Sequence, residues 1–263
     1  MVPPKRAARL ASGVAKRLKK RHSPEQIANR LRLEHPDEPP WWVSHETIYQ
    51  ALYLQGRGGL KAELTEALRT GRARRRRKGP NPGRGARGKL SDVVLISQRP
   101  AEAADRAVPG HWEGDLILGR AGKSQIATFV ERTTRFTLLV RLPDNRKAIT
   151  VRDAVAAKIV ELPVQLRRSL TWDQGKEMAA HVSFSVATDV AVYFCDPHSP
   201  WQRGTNENTN GLLRQYLPRS LDFATPTDRR LDAIAAELNE RPRETLGWMT
   251  PSEKFNELVA MAA

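Results

Sequence analysis

The chain has 263 residues, which is enough for a catalytic domain of about 170 residues and one small additional module. It carries 44 Lys and Arg against 29 Asp and Glu, so its formal net charge is +15, and it contains a single cysteine. One cysteine excludes an internal disulfide framework and a cysteine-based zinc finger. No apolar run approaches the ~20 residues that span a bilayer, and the basic start lacks an apolar signal core, so we expect a cytoplasmic, nucleoid-associated protein.

Two helices are predicted near the N-terminus. The capping sequence Ser23-Pro-Glu-Gln26 opens the first helix, whose apolar positions are Ile27, Ala28, Leu31 and Leu33. Ser44 precedes a second amphipathic helix, from His45 to Tyr53. Paired helices indicate a helix-turn-helix-like, DNA-binding module over residues 1–70, with the second helix as the recognition helix. On that helix the candidates for contacts to base edges are His45, Glu46, Thr47 and Gln50.

The connection between these two helices leaves a second interpretation open. Residues 34–42 form a longer segment than the usual turn of about 3–4 residues in a helix-turn-helix. A small packing module without base readout is therefore the alternative.

The net positive charge of the chain comes entirely from its first third. Residues 1–90 contain 22 Lys and Arg and 7 Asp and Glu, whereas residues 91–263 contain 22 of each. Residues 71–90 are rich in turn-forming and basic residues, which predicts a flexible linker that contacts DNA phosphates without reading bases. The basic run consists of Arg74, Arg75, Arg76, Arg77 and Lys78. A solubilising tail or a nuclear-targeting signal is the alternative interpretation.

Residues 91–263 alternate between strand-like and helix-like patterns. The spacing of apolar residues predicts a helix over 147–162 and another that begins at Ser199. Strands are predicted over 93–96, 115–118, 124–131, 135–142, 170–172 and 190–195. This order favours an α/β catalytic domain with a mixed sheet. Further helices, around 231–238 and from Thr250 to Leu258, are expected to brace the sheet.

Three carboxylates stand in recognisable backbone settings. Asp115 lies inside a strand-like run, Asp173 ends the strand that begins at Leu170, and Glu207 lies on the helix that follows Ser199. Hard oxygen ligands are what Mg²⁺ requires, and two metals roughly 3.5–4 Å apart can clamp the attacking and leaving oxygens of a phosphoryl displacement. The three side chains are therefore candidates both for catalysis and for holding two Mg²⁺ or Mn²⁺ ions.

The helix that carries Glu207 has a start signal of its own. Ser199, Pro200 and Gln202 suit the N-cap, N1 and N3 positions. One face then presents Glu207 together with Asn210, Gly211 and Arg214. Such a face suits a metal and a DNA backbone, with Arg214 as a candidate phosphate contact.

Other polar and aromatic residues near these carboxylates have both a functional and a structural interpretation. The functional interpretation is an auxiliary role in metal binding, substrate binding or base stacking. The structural interpretation is ordinary capping or packing. These residues are Glu113, Glu177, His181, Asp196, His198, Trp201 and Tyr216.

Four sequence segments resemble those of a known family. They are Gly110-His-Trp-Glu-Gly-Asp115-Leu-Ile, Thr171-Trp-Asp173-Gln-Gly-Lys-Glu177, Pro197-His-Ser-Pro-Trp-Gln-Arg-Gly-Thr-Asn-Glu207-Asn and Leu238-Asn-Glu-Arg-Pro-Arg243. Together they resemble the integrase core of bacterial DDE transposases, and in particular the IS-thirty family of insertion-sequence transposases. The resemblance covers about residues 20–260. Trp172 and Gln174 stand where Phe and Asn are commoner in that family.

The resemblance implies a fold, a reaction and partners. It implies an RNase H-like core, a catalytic triad of Asp115, Asp173 and Glu207, and cutting and joining of double-stranded DNA at the ends of an insertion element. Joining of paired ends implies at least a dimer. Relatives usually carry another helix-turn-helix upstream, so we expect an N-terminally truncated form. Two alternatives follow: an inactive or regulatory DNA-binding derivative, and a general RNase H-like nuclease.

Overall fold

The computed structural model describes residues 4–54, 92–106, 108–142, 147–196 and 199–262. The chain divides into two compact units. One unit contains the N-terminal helices together with Glu240–Pro251, and the other contains the sheet and the remaining helices. The basic run from Arg74 to Lys78 and the predicted linker lie outside the described residues. Of the helices in the described ranges, none has the length and apolar character needed to cross a membrane.

Within its described residues, the N-terminal unit is built on α1 (Pro4–Lys19), α2 (Pro24–Glu34) and α3 (His45–Leu54). The predicted capping box of α2 is confirmed, because the Gln26 backbone N–H donates to Ser23 Oγ and the Ser23 N–H donates to Gln26 Oε1. Ser44 caps α3 by accepting the Thr47 N–H at 3.0 Å. A short 3₁₀ helix, Pro39–Trp41, interrupts the connection between α2 and α3.

One apolar cluster holds these helices together. It consists of Leu18, Ile27, Ala28, Leu31, Ile48 and Leu52. The expectation that Leu33 belongs to this cluster is wrong, since its side chain is 49% exposed. Leu33 lies two residues beyond Leu31, which turns it to the solvent side of the helix.

The segment Glu240–Pro251 belongs to the N-terminal unit, although the sequence predicts one continuous catalytic domain over 91–263. Gln26 Nε2 donates to the Pro242 carbonyl at 2.9 Å, and Arg30 Nη1 donates to the Trp248 carbonyl at 3.3 Å. Irregular backbone must satisfy its carbonyl groups with donors from elsewhere, and here α2 supplies them.

The second unit contains one five-stranded sheet, formed by β1 (His111–Leu118), β2 (Gln125–Glu131), β3 (Thr137–Arg141), β4 (Ser169–Trp172) and β5 (Ala191–Phe194). The strand order is β3-β2-β1-β4-β5. β1, β2 and β3 pair antiparallel, and β1, β4 and β5 pair parallel, so the predicted mixed α/β sheet is confirmed.

Helices account for the connections and the two faces of this sheet. Parallel neighbours need crossover connections, which are α5 (Ala148–Ile159) and α6 (His181–Thr188); the short α4 (Ala101–Asp105) precedes β1. α7 (Gly204–Leu213), α8 (Asp228–Asn239) and α9 (Pro251–Ala262) follow β5. Trp112, Phe129 and Trp172 lie in the larger apolar core, whereas Ile117 packs with Leu213 and Leu238 in the other. Because side chains alternate along β1, Glu113 and Asp115 share the face of Ile117, on which α7 lies.

Two predicted element boundaries are wrong. Residues 93–96 do not form a strand: Leu95 makes a single bridge to Phe194, after which the chain turns into a 3₁₀ helix over Ile96–Gln98. The helix expected from Ser199 begins as a 3₁₀ turn over Pro200–Arg203, and α7 starts at Gly204. The Gln202 side chain does not cap this turn, because it pairs with the Asp196 backbone N–H and carboxylate.

Candidate active site

Asp115 lies on β1, and Asp173 directly follows β4, the parallel neighbour of β1. β1 pairs with β4 in a register that places Glu113 opposite Thr171. Continuing that register by two residues on each chain brings Asp115 level with Asp173, which follows the last residue of β4. Each aspartate lies two positions beyond a paired residue, and side chains two positions apart point to the same face, so both carboxylates stand on one face of the sheet.

A guanidinium bridges these two carboxylates. Arg203 Nη1 lies 3.1 Å from Asp115 Oδ1, and Arg203 Nη2 lies 3.5 Å from Asp173 Oδ2. Nη1 also donates to the Gly114 carbonyl at 2.9 Å. Burial disfavours the charged guanidinium, but the two aspartates outweigh that effect and raise the pKa of Arg203. Arg203 is not among the predicted site residues, although it lies in the family-like segment over 197–208, four residues before Glu207.

Glu207 lies on α7, as predicted, with an exposed side chain. Asn210, three residues further along α7, donates from Nδ2 to Asp115 Oδ2 at 3.0 Å. Arg203 lies four residues before Glu207. Residues three apart lie on one face of a helix, so Glu207 shares one side of α7 with Asn210. Within the described ranges, no three His, Cys, Asp or Glu side chains converge closely enough to hold a metal.

A buried polar network fixes α7 against the sheet. Glu113 Oε2 accepts the Asn206 backbone N–H at 3.0 Å, while Glu113 Oε1 pairs with the Arg132 guanidinium. Asn206 Nδ2 donates to the carbonyls of Glu113 and Thr128, at 2.8 and 3.2 Å. Glu113 therefore joins β1 to α7, which is the structural alternative to a role as an auxiliary metal ligand.

Glu177 is a further acidic side chain beside this pair. Burial raises the pKa of its carboxyl group, and the negative charges of Asp173 and Asp115 add to that rise against opposing hydrogen bonds. Trp172 Nε1 lies 3.4 Å from Glu177 Oε1. A Cβ at Gly175 would lie 1.9 Å from the same oxygen, so a glycine is needed there for Glu177 to adopt this position.

The remaining candidates near the site have structural contacts. His181 is buried, its ring nitrogens lie 3.0 Å from the Met178 carbonyl and 3.1 Å from the Asp92 carbonyl, and its ring packs edge-on against Phe194. The Tyr216 hydroxyl donates to Glu237 at 2.7 Å. His198 and the side chain of Trp201 lie outside the described residues.

Arg214 lies at the C-terminal end of α7. Its Nη1 lies 3.1 Å from the Leu118 carbonyl and 3.3 Å from the Leu217 carbonyl, and its guanidinium stands 5.7 Å from the centre of the Phe223 ring. Burial, followed by the charge of Arg219, lowers the pKa of this guanidinium. Arg214 thus connects the end of α7 to the end of β1.

In the N-terminal unit, α3 has an apolar and a polar side. Ile48 and Leu52 are buried in the helical cluster. The four predicted base-contact residues are all exposed: His45, Glu46, Thr47 and Gln50. A recognition helix needs an exposed polar face of this kind, because its side chains must be free to contact base edges.

Comparisons with known proteins agree with this architecture. Residues 105–200 match the family model described as the integrase core domain. The chain is 48% identical over 243 residues to the transposase for insertion sequence element IS1086 of Cupriavidus metallidurans, covering 92% of this chain and 71% of that protein. It is 44% identical over 256 residues to the transposase InsI for insertion sequence element IS30A of Escherichia coli, covering 94% of this chain and 64% of that protein.

One further transposase and one solved structure are also similar to this chain. The transposase for insertion sequence element IS4351 of Bacteroides fragilis is 38% identical over 247 residues, which cover 94% of this chain and 72% of that protein. Among solved structures, the catalytic core domain of BIV integrase is 19% identical, with a TM-score of 0.44, and covers 58% of this chain and 97% of its own. The sequence identities, each extending over most of the chain, show that the protein belongs to the IS30-like family of DDE insertion-sequence transposases with an integrase core.

Proposed function

We propose that this chain is a DNA transposase that cuts and joins phosphodiesters at the ends of an insertion element, with Asp115, Asp173 and Glu207 as its catalytic carboxylates. One observation carries the proposal: the Arg203 guanidinium bridges Asp115 on β1 and Asp173 at the end of β4, the parallel neighbour of β1. Two carboxylates held this close repel each other unless a cation lies between them. In this structure the Arg203 guanidinium supplies that cation.

The donor set fits divalent metals. Asp115 and Asp173 offer hard carboxylate oxygens, and Glu207 lies on the same face of α7 as Asn210, which contacts Asp115. We propose that the three side chains hold two Mg²⁺ or Mn²⁺ ions. When bound, such ions polarise the phosphate and activate the attacking oxygen.

The residues around the metals have separate roles in this proposal. Asn210 orients Asp115 through its 3.0 Å hydrogen bond, and Asn206 fixes α7, so Glu207 is presented by a rigid element. Arg214 is a candidate contact for a DNA phosphate at the other end of α7. In the first step water attacks the phosphorus and a 3′ oxygen leaves as a hydroxyl. In the second step that hydroxyl attacks a phosphodiester of the target DNA, a new P–O bond forms, and a 3′ oxygen of the target strand leaves as a hydroxyl.

We further propose that the N-terminal unit holds the DNA. The exposed side of α3 would enter the major groove, where His45, Glu46, Thr47 and Gln50 reach base edges. The basic residues Arg74 to Lys78 would contact phosphates, which gives affinity without sequence preference. Joining of two element ends would require at least a dimer of this chain.

An inactive, regulatory DNA-binding derivative is the second candidate function. The observation that favours it is the same guanidinium bridge, because Arg203 already neutralises the two aspartates that a metal would need. Such a protein would occupy element ends without cutting them. Metal-dependent joining of DNA by this chain would exclude it.

The test is a strand-transfer assay on candidate element ends in Mg²⁺. We expect Asp115→Asn, Asp173→Asn and Glu207→Gln each to lower cleavage and joining by orders of magnitude while DNA affinity falls little, because one lost ligand disrupts the two-metal clamp. Asp153→Asn is the matched control, since Asp153 is an exposed carboxylate on α5 that pairs with Arg152. Near-normal joining by any of the three variants removes that residue from the catalytic set, and full activity in excess EDTA rejects the metal mechanism.

A further inference from the structure

Arg203 has contacts that the proposed reaction does not explain. Its side chain is 13% exposed and lies at the junction between the 3₁₀ turn Pro200–Arg203 and α7. One guanidinium spans Asp115, Asp173 and the Gly114 carbonyl. A planar fork with several N–H donors is suited to bridging two carboxylates in this way, and a Lys ammonium is not.

The guanidinium stands where a metal would have to bind. Asp115 Oδ1 faces Arg203, while Asp115 Oδ2 accepts the hydrogen bond from Asn210. A divalent cation between Asp115 and Asp173 would lie within a few ångströms of the positive guanidinium. Like charges at that separation repel strongly in a half-buried site. The metal and the Arg203 guanidinium therefore compete for the same pair of carboxylates.

We propose that Arg203 is a positioning residue that occupies the cation position between Asp115 and Asp173 before metal binds, so that metal loading requires release of its guanidinium. The inference rests on the proposed function, because it assumes that these aspartates are metal ligands. It assigns two opposing effects to one side chain. Arg203 stabilises the metal-free site by neutralising the two aspartates, and it weakens the site's affinity for metal.

The experiment measures metal binding to the full chain without DNA. Free Mn²⁺ is followed by electron paramagnetic resonance during a titration of the wild type and of Arg203→Gln. We expect Arg203→Gln to bind Mn²⁺ at least about tenfold more tightly, because the competing cation is gone. Without metal the variant should melt at a lower temperature than the wild type, since Asp115 and Asp173 then repel each other, and Mn²⁺ should raise its melting temperature by more.

Two further variants make the result specific. Arg203→Lys keeps the charge but cannot fork across both aspartates, so its Mn²⁺ affinity should lie between those of the wild type and Arg203→Gln. Arg152→Gln loses the same charge from α5, where Arg152 pairs with Asp153, and its Mn²⁺ affinity should equal that of the wild type. Asp115→Asn should abolish the Mn²⁺ site in both the wild-type and the Arg203→Gln background.

The outcomes separate this inference from the proposed function. Mn²⁺ binding that depends on Asp115 but is equal or weaker in Arg203→Gln overturns the competition and leaves the metal site standing. Absence of Asp115-dependent Mn²⁺ binding in both the wild type and Arg203→Gln rejects the metal site itself, and the inference with it. If Arg203→Gln does not fold, a wild-type Mn²⁺ affinity in Arg203→Lys overturns the inference.

Discussion

Replacement of Asn206 by Ala tests whether the buried network, rather than helix propensity, holds α7 on the sheet. The Asn206 side chain donates to the carbonyls of Glu113 and Thr128 and accepts from Thr128 Oγ1 at 3.0 Å. It is fully buried. Each of these buried hydrogen bonds contributes about 1 kcal/mol, and the cavity left by the amide adds about 1 kcal/mol.

The expected net loss is about 3.5 kcal/mol in the free energy of unfolding, after about 0.5 kcal/mol is returned by the better helix propensity of Ala. Urea denaturation followed by circular dichroism measures this loss. Asn208→Ala is the matched control, because Asn208 is an exposed residue on the same helix, and its effect should stay within about 0.5 kcal/mol. A loss below about 1 kcal/mol for Asn206→Ala would refute the anchoring role of the network.

Three other perturbations address DNA binding and pH. Neutralising Arg74 to Lys78 should flatten the slope of log affinity against log salt by roughly 0.9 for each DNA phosphate that the run no longer neutralises, and an unchanged slope would show that this run does not hold DNA. Gln50→Ala should relax base preference and leave that slope unchanged, since base contacts specify and phosphate contacts position; competition binding with scrambled DNA distinguishes the two. Burial, with Arg241 and other nearby cations, lowers the pKa of His22 from 6.5 to about 3. Between pH 6.5 and 3, His22 is therefore protonated in the unfolded chain and neutral in the folded chain. Stability should therefore fall as pH drops from 6.5 towards 3, and His22→Gln should reduce this pH dependence; equal slopes of stability against pH for wild type and variant would contradict it.

Local sequence patterns were sufficient for most elements and for the placement of the carboxylates. Ser23 and Gln26 close the α2 capping box as predicted, because both halves of that motif lie within one turn. Apolar periodicity located α5 and a run of β-forming residues located β2, since each depends on a pattern that the chain itself carries. As predicted, Asp115 lies on β1, Asp173 follows β4 and Glu207 lies on α7.

The errors occurred where a distant partner decides the local structure. Gln202 fits a capping box, yet Asp196 captures its side chain and the turn becomes 3₁₀. One omission has no such cause: α1 was not predicted, although Leu10, Val14 and Leu18 recur at helical spacing. The segment Glu240–Pro251 joins the N-terminal unit through donors on α2 that are remote in sequence.

The sequence by itself determined which residues carry charge and carboxylate chemistry, and on which elements they lie. Only the tertiary structure decided their partners: the register of β1 and β4 brings Asp115 level with Asp173, and Arg203 then bridges them. The physical reason is the separation along the sequence over which each kind of interaction acts. Capping and periodicity act between residues a few positions apart, whereas ion pairs and buried hydrogen bonds form between any groups that packing brings within about 3 Å.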